Sequence, residues 1–165
     1  MSVPSIIAHR GASGHAPENT LAAIAKAADL GAAWVEFDCM MCAGGELVVH
    51  HDESLKRITG VARDVPDCRL EEIQALDAGS WFDAGFAAET IPSLAQVITL
   101  LADRGLGANV EIKPATGYEA ATGRLVAREV RRLWPSDLPM PVISSFSEMA
   151  LQESLRAYPP VLQSG

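Results

Sequence analysis

The sequence has no long hydrophobic run. A membrane-spanning helix needs about 20 consecutive apolar residues, and none of the apolar segments approaches that length. A charged-then-apolar leader is also missing before Ile6. We therefore expect a cytoplasmic protein without stable membrane association.

Basic stripes are lacking as well. The net charge is -8, with 13 Lys and Arg against 21 Asp and Glu, and nucleic-acid binding needs clustered positive charge. The doublet Arg131-Arg132 falls where a helix should end, and a helix C-terminus favours cations. The charge pattern therefore predicts no nucleic-acid partner. It leaves both a monomer and a homo-oligomer open.

Cysteine is scarce, and its count is odd. The three cysteines fit a reducing compartment better than a disulfide framework. Cys39 and Cys42 have the Cys-x-x-Cys spacing of a redox pair or half a zinc site. The sequence has no second pair, and no helix follows that would lower a thiol pKa, so we interpret them as incidental thiols at the end of a strand.

Two common catalytic signatures are absent too. The chain has neither a nucleophile elbow nor a dinucleotide-binding glycine pattern, which argues against acyl transfer and hydride transfer. Ionisable residues are found instead at the ends of several β-like apolar runs. Strand ends that carry such groups are typical of an active-site mouth in a barrel enzyme.

Strands and helices alternate along the chain, which predicts an α/β barrel of the (β/α)8 type. Strands are predicted at residues 5–9, 34–38, 46–51, 108–113 and 141–146, and a sixth begins at Val161-Leu162. Helices are predicted near residues 19–30, 92–104, 118–134 and 148–158, the first with Leu30 on its inner face. A complete barrel needs about 250 residues, so we expect one domain, residues 1–165, truncated after five to six strands.

Two segments depart from this alternation. Residues 38–51 are too few for a helical crossover, and we expect the chain to run back down the barrel, turn at Ala43-Gly44-Gly45 and return. Residues 53–90 are charged and irregular, with one short helical pattern at 70–76, and are predicted to be an inserted cap. Its aromatic residues, Trp81, Phe82 and Phe86, form either a lid over substrate or an anchor to the domain.

Three carboxylates fall at predicted strand ends. Glu36 and Asp38 project to the same side of one strand, because side chains alternate faces, and Glu111 ends another. Their repulsion predicts a hard divalent cation, Mg²⁺ or Ca²⁺. The alternative is that they pair with Arg10 and Lys113.

Cations and imidazoles occupy the neighbouring strand ends. Arg10 has the planar fork suited to phosphate, and Lys113 places a compact charge beside the carboxylates. Imidazole is the side chain best suited to proton transfer near neutral pH, so one of His9 and His51 could remove a proton while the other donates one. The combination of a metal-binding carboxylate cluster, two cationic side chains and two imidazoles predicts phosphodiester cleavage. His15 is interpreted as solvated, and His50 as structural because strand parity directs it away from the mouth.

Several motifs resemble, in order and spacing, the glycerophosphodiester phosphodiesterase family, most closely its bacterial cytosolic members. They are His9-Arg10-Gly11-Ala12, Pro17-Glu18-Asn19-Thr20, Glu36-Phe37-Asp38, His51-Asp52, Leu76-Asp77-Ala78-Gly79-Ser80-Trp81-Phe82, Ile91-Pro92-Ser93-Leu94 and Glu111-Ile112-Lys113-Pro114. The resemblance covers nearly the whole chain.

The resemblance implies a phosphatidylinositol-phospholipase-like barrel that hydrolyses glycerophosphodiesters to glycerol 3-phosphate and an alcohol. It implies His9 and His51 as catalytic residues, and Glu36, Asp38 and Glu111 as metal ligands. Arg10 and Lys113 would bind the substrate phosphate, and Glu18 would support the site.

The sequence departs from the family pattern at its C-terminus, where the family's final strands are missing. We therefore expect a piece of a longer protein. Two alternatives remain: a non-catalytic fragment that retains a metal- and phosphate-binding site, and a lysophospholipase D-type activity on lysophospholipids. The sequence has no amphipathic basic helix suited to a membrane surface, which argues against the second.

Overall fold

The computed structural model describes residues 3 to 157. The strands are β1 (Ala8–His9), β2 (Trp34–Cys42), β3 (Glu46–Val49), β4 (Gly107–Ile112) and β5 (Val142–Ser144). The helices are α1 (Leu21–Asp29), α2 (Lys56–Thr59), α3 (Leu70–Gln74), α4 (Leu94–Arg104), α5 (Glu119–Leu133) and α6 (Glu148–Ala157). The sixth strand predicted at Val161-Leu162 lies outside the described residues.

The sheet is built around β2. Strands β1, β2, β4 and β5 are parallel neighbours in that order, and β3 pairs with β2 outside this path. Strand β1 is shorter than the predicted residues 5–9, because only Ala8 and His9 pair with β2. The described chain therefore has the parallel α/β architecture that the alternation predicts.

The path of β2 differs from the prediction. The strand continues past Asp38 to Cys42 instead of running back down, and β3 returns antiparallel to residues 39–42. The turn lies where it was predicted, and Gly44 and Gly45 both adopt the positive φ of a tight turn. The direction differs because residues 39–42 pair with β3 as a continuation of β2. The backbone N–H of His50 then donates to the Asp38 carbonyl oxygen at 3.0 Å. The hairpin thus returns the chain to the level of the β2 carboxylates.

The helices begin where capping chemistry places them. The Thr20 side chain accepts from the backbone N–H of Ala23, and Ser93 forms a capping box with Gln96. Helix α1 buries Ile24 but leaves Leu30, which follows its last turn, 55% exposed. The prediction that Leu30 belongs to the inner face is therefore wrong.

The hairpin has a different hydrophobic core on each face. Cys39, Leu47 and Val49 pack into the main core between the sheet and helices α1, α4 and α5. Met40, Cys42 and Val48 face the other way, into a second core. The residues of segment 53–90 that complete this second core are Leu55, Ile58, Val65, Cys68, Ile73 and Ala78.

The segment of residues 53–90 contains α3 where a helical pattern was predicted and also α2, which was not predicted. Its aromatic residues contact one another edge to face, with 5.7 Å between the Trp81 and Phe82 ring centroids and 5.6 Å between Phe82 and Phe86. The Trp81 indole N–H donates to the Ala78 carbonyl oxygen. These contacts are internal to the segment, and its role as a cap stays a prediction.

All three cysteines are buried and free. Burial raises the pKa of the Cys42 thiol to about 11 and that of Cys39 well above its ordinary value. These raised pKa values disfavour the reactive thiolate form. Because Cys39 and Cys42 also lie in different cores, they are unsuited to act as a redox pair.

Helix α5 packs against α6 through Gly123, and we predict that Gly123→Ala destabilises the protein. An added Cβ would lie 2.2 Å from the Ala150 carbonyl oxygen, so α6 would have to shift. Such overpacking costs about 1–3 kcal/mol, measured as a lower free energy of unfolding in a urea titration. Gly14→Ala is the control, because its Cβ would meet nothing within 4 Å. Equal stability of the two variants would contradict close α5–α6 packing.

Within residues 3 to 157, none of the helices has both the length and the apolar character needed to cross a membrane.

Candidate active site

The three predicted carboxylates converge at neighbouring positions of two parallel strands. Asp38 on β2 lies in register with Glu111 on β4, and Glu36 lies one pleat repeat earlier on the same face of β2. One oxygen from each of the three carboxylates lies within 4.8 Å of the others. The strand register therefore assembles an acidic cluster, defined here as Glu36, Asp38 and Glu111.

This acidic cluster fits a divalent cation. Burial, then the charges of Asp38 and Glu111, raises the pKa of Glu36 to about 7. Glu36 Oε1 is buried and has no hydrogen-bond partner among the described residues. A cation would supply that partner and offset the repulsion, and oxygen ligands of this kind suit hard divalent ions. The three side chains could thus hold a metal ion.

Arg10 links β1 to the acidic cluster. Its backbone N–H donates to Glu36 Oε2 at 2.9 Å, and its Nε lies 3.3 Å from Asp38 Oδ2. Its Nη1 donates to Glu18 Oε1 at 2.9 Å. The residue adopts φ 55°, which a non-glycine side chain rarely does. The left-handed turn after β1 thus aims both the backbone and the side chain of Arg10 at the carboxylates.

Asn19 holds Asp38 in place, and the sequence analysis assigned it no part in the site. Its Nδ2 donates to Asp38 Oδ2 at 2.9 Å, and its Oδ1 accepts from the Asp38 backbone N–H at 3.3 Å. Its own backbone N–H donates to the Arg10 carbonyl oxygen. The helix cap is Thr20, which leaves Asn19 to orient the carboxylate. The sequence feature that could have revealed this role is the position of Asn19 next to Glu18 in the Pro-Glu-Asn-Thr motif.

His9 and Lys113 border the acidic cluster from opposite sides. His9 Nε2 lies 3.7 Å from Glu36 Oε2, and its side chain is 68% exposed. Lys113 Nζ lies 3.6 Å from Glu111 Oε1 and 5.7 Å from the centre of the Phe146 ring. Both groups are accessible to a small molecule bound over the carboxylates.

His51 lies beyond the end of β3, and its Nδ1 is 2.6 Å from Asp52 Oδ1. The neighbouring His50 is buried, with Nε2 3.4 Å from the Ser54 carbonyl oxygen. Burial lowers the pKa of His50, which favours the neutral ring. The structural interpretation of His50 fits this environment.

The structure connects the predicted site residues into one network. Direct contacts join His9, Arg10, Glu18, Glu36 and Asp38, and Glu111 joins Lys113 to them. His51 is connected through two residues that the sequence analysis did not assign, Asp52 and Arg57. Arg57 donates to both Asp52 and Glu18.

Residues 9–161 match the model of the glycerophosphoryl diester phosphodiesterase family. The chain belongs to this family. The resemblance carried by the sequence motifs is thereby confirmed.

Individual members of the glycerophosphodiester phosphodiesterase family are similar across much of the chain. A glycerophosphodiester phosphodiesterase of Caldanaerobacter subterraneus subsp. tengcongensis is 47% identical over 108 residues, which cover 66% of this chain and 44% of the relative. The glycerophosphodiester phosphodiesterase of Bacillus subtilis is 35% identical over 159 residues, which cover 88% and 53%.

A solved structure has nearly the same fold. An Oleispira antarctica phosphodiesterase, in complex with the product sn-glycerol-3-phosphate, superposes with a TM-score of 0.91 at 40% identity, covering 96% of this chain and 64% of that one. The glycerophosphodiester phosphodiesterase of Agrobacterium tumefaciens gives a TM-score of 0.79 at 37% identity. The predicted α/β barrel class is confirmed. This chain spans between 44% and 64% of the length of these relatives.

Proposed function

We propose that the protein hydrolyses glycerophosphodiesters to glycerol 3-phosphate and an alcohol, using a divalent cation, Mg²⁺ or Ca²⁺. The observation that carries the proposal is the acidic cluster, whose oxygens lie within 4.8 Å of one another beside His9, Arg10 and Lys113. Family membership supports it, as does the bound product of the Oleispira antarctica phosphodiesterase.

The metal ligands in this proposal are Glu36, Asp38 and Glu111. A bound divalent ion would supply Lewis-acid polarisation of the phosphate. The carboxylates of the acidic cluster would repel a phosphodiester anion. A divalent ion would offset much of their negative charge, and Arg10 and Lys113 lie beside the cluster to attract the anion.

Arg10 and Lys113 orient the substrate phosphate in this proposal. Arg10 presents a planar fork already directed towards the carboxylates by Glu18, and Lys113 adds a point charge from the β4 side. Glu18 is itself held ionised: burial alone would raise its pKa, but the hydrogen bond and charge of Arg57, and then the charge of Arg10, keep the pKa below its ordinary value.

His9 and His51 transfer the protons. One imidazole removes a proton from the attacking hydroxyl group or water, and the other protonates the departing alcohol. His9 lies beside Glu36, and His51 Nδ1 contacts Asp52, so the two imidazoles proposed for proton transfer come from different strand ends.

The test is release of glycerol 3-phosphate from glycerophosphocholine by the purified protein. We expect turnover with Mg²⁺ or Ca²⁺, none with excess chelator, and recovery when the metal is restored, because the carboxylates alone repel the phosphate. Metal-independent release, or no release from a folded sample, would contradict the proposal. A parallel assay with lysophosphatidylcholine should give no turnover.

The small-molecule substrate and a cytoplasmic location complete the proposal. The three free, buried cysteines are compatible with a reducing compartment.

A further inference from the structure

We propose that Arg57 is a positioning residue that fixes the orientation of the His51–Asp52 pair and couples it to Arg10. The inference rests on the proposed function, because it assigns a new member to the same site. Arg57 lies in α2, in the segment of residues 53–90, and belongs to none of the motifs that predicted the site.

The Arg57 guanidinium bridges two carboxylates that come from distant parts of the chain. Its Nε donates to Asp52 Oδ2 at 2.6 Å. Its Nη2 donates to Glu18 Oε1 at 2.8 Å, and its Nη1 donates to Glu18 Oε2 at 3.2 Å. Arginine suits this bridge because its planar fork presents separate N–H donors to the two acids, whereas lysine carries all its donors on one nitrogen.

The first consequence concerns the tautomer of His51. The hydrogen bond from Arg57 Nε occupies Asp52 Oδ2 and leaves Oδ1 directed at His51. Asp52 is ionised at neutral pH, Arg57 lowers its pKa further, and an ionised carboxylate only accepts hydrogen bonds. His51 Nδ1, 2.6 Å away, must then carry the proton. In the neutral ring Nε2 is therefore the free acceptor that can exchange a proton with substrate.

The second consequence concerns Arg10, which Glu18 links to Arg57. Glu18 Oε1 accepts from Arg57 Nη2 and also from Arg10 Nη1 at 2.9 Å. One continuous series of hydrogen bonds therefore runs from His51 through Asp52, Arg57 and Glu18 to Arg10. It ties a proton-transfer group to the phosphate-binding group.

The exposure of Arg57 argues against a role in folding stability alone. Its side chain is 44% exposed, and ion pairs in contact with water contribute little to stability. An orienting role and a structural role therefore predict different results. Removing an orienting Arg57 changes the state of the His51 ring in a protein that remains folded.

The direct test is ¹⁵N NMR of histidine-labelled protein above the pKa of the imidazoles, with the His51 signals assigned from the spectrum of His51→Ala. Wild type should show one tautomer, protonated at Nδ1, and Arg57→Ala a mixture. Arg63→Ala is the matched control, because Arg63 lies in the same segment and pairs with Glu72, away from the site. A wild-type tautomer in Arg57→Ala would overturn the proposal.

Kinetics supply the second readout. With glycerophosphocholine, Arg57→Ala should lower kcat by about 100-fold, since the loss of an orienting partner typically has effects of this size or larger. KM should rise by a smaller factor. Arg57→Lys should give an intermediate kcat, because lysine keeps the positive charge but lacks the planar fork that joins the two acids.

Arg63→Ala should match wild type in both kcat and KM. A kcat for Arg57→Ala equal to that of Arg63→Ala would overturn the proposal, as would full recovery in Arg57→Lys. Circular dichroism confirms that each variant is folded. If wild type proved inactive, the function proposal would fail, but the NMR comparison would still decide the role of Arg57.

Discussion

His51→Ala is expected to lower kcat for glycerophosphocholine by about 10²- to 10⁴-fold, the range typical of removing a general acid or base. The substitution removes the ring that Asp52 contacts and leaves the carboxylates, Arg10 and Lys113 unchanged. His9→Ala should have an effect in the same range. Initial rates of glycerol 3-phosphate release at saturating substrate measure both effects.

The control for the histidine variants is His15→Ala. Its ring lies in an exposed loop, and the network joining the proposed site residues does not include it. We expect wild-type kcat for this variant. The two catalytic variants should also lose one limb of the bell-shaped pH–rate profile, a different limb for each. Rates within threefold of wild type in both would show that these imidazoles transfer no proton in the slow step.

Asp38→Asn is expected to weaken cation binding by at least about 100-fold, beyond the loss of roughly 10- to 100-fold seen when groups behind metal ligands are changed. Asparagine preserves the size of the side chain but removes a negative charge from the centre of the acidic cluster. Asp38 is nearly fully buried, so water cannot replace the lost oxygen readily.

Thermodynamic stabilisation by Mg²⁺ or Ca²⁺ measures this loss without reference to activity. At a cation concentration of 100 times the wild-type Kd, binding stabilises the protein by about 2.7 kcal/mol, and a 100-fold weaker site leaves only about 0.4 kcal/mol. The control is Asp29→Asn, because Asp29 is an exposed residue of α1 that pairs with Arg104. Undiminished stabilisation of Asp38→Asn would place the cation elsewhere.

The alternation of side chains between the two faces of a strand explains why much of the acidic cluster was predictable from sequence. Glu36 and Asp38 are two residues apart in an apolar run, so they had to share one face, and Val35 and Phe37 had to enter the core. The parallel order was also predictable from the helical crossover between β1 and β2. The alternation of side chains along one strand does not predict the register between two strands, and it is this register that brings Glu111 beside Asp38.

Other parts of the site depend on contacts between distant segments and could not be predicted. The β2–β3 hairpin was predicted to run in the wrong direction, because an apolar run such as residues 39–42 does not reveal which strand it will pair with. Asparagine is a common residue at helix starts, so the sequence alone does not show that the Asn19 side chain binds Asp38. Arg57 lies in irregular sequence, and only the folded chain brings it to Glu18, 39 residues earlier.

Because the β2–β3 hairpin separates two hydrophobic cores, we expect the two cores to open at different free energies. Local unfolding of contiguous units is common in proteins and needs less free energy than global unfolding. Opening of the second core would release segment 53–90, and with it Arg57, while Glu36, Asp38 and Glu111 stayed together on the main sheet. We then expect partial denaturation to leave the proposed cation site assembled while the proposed alignment of His51 is lost.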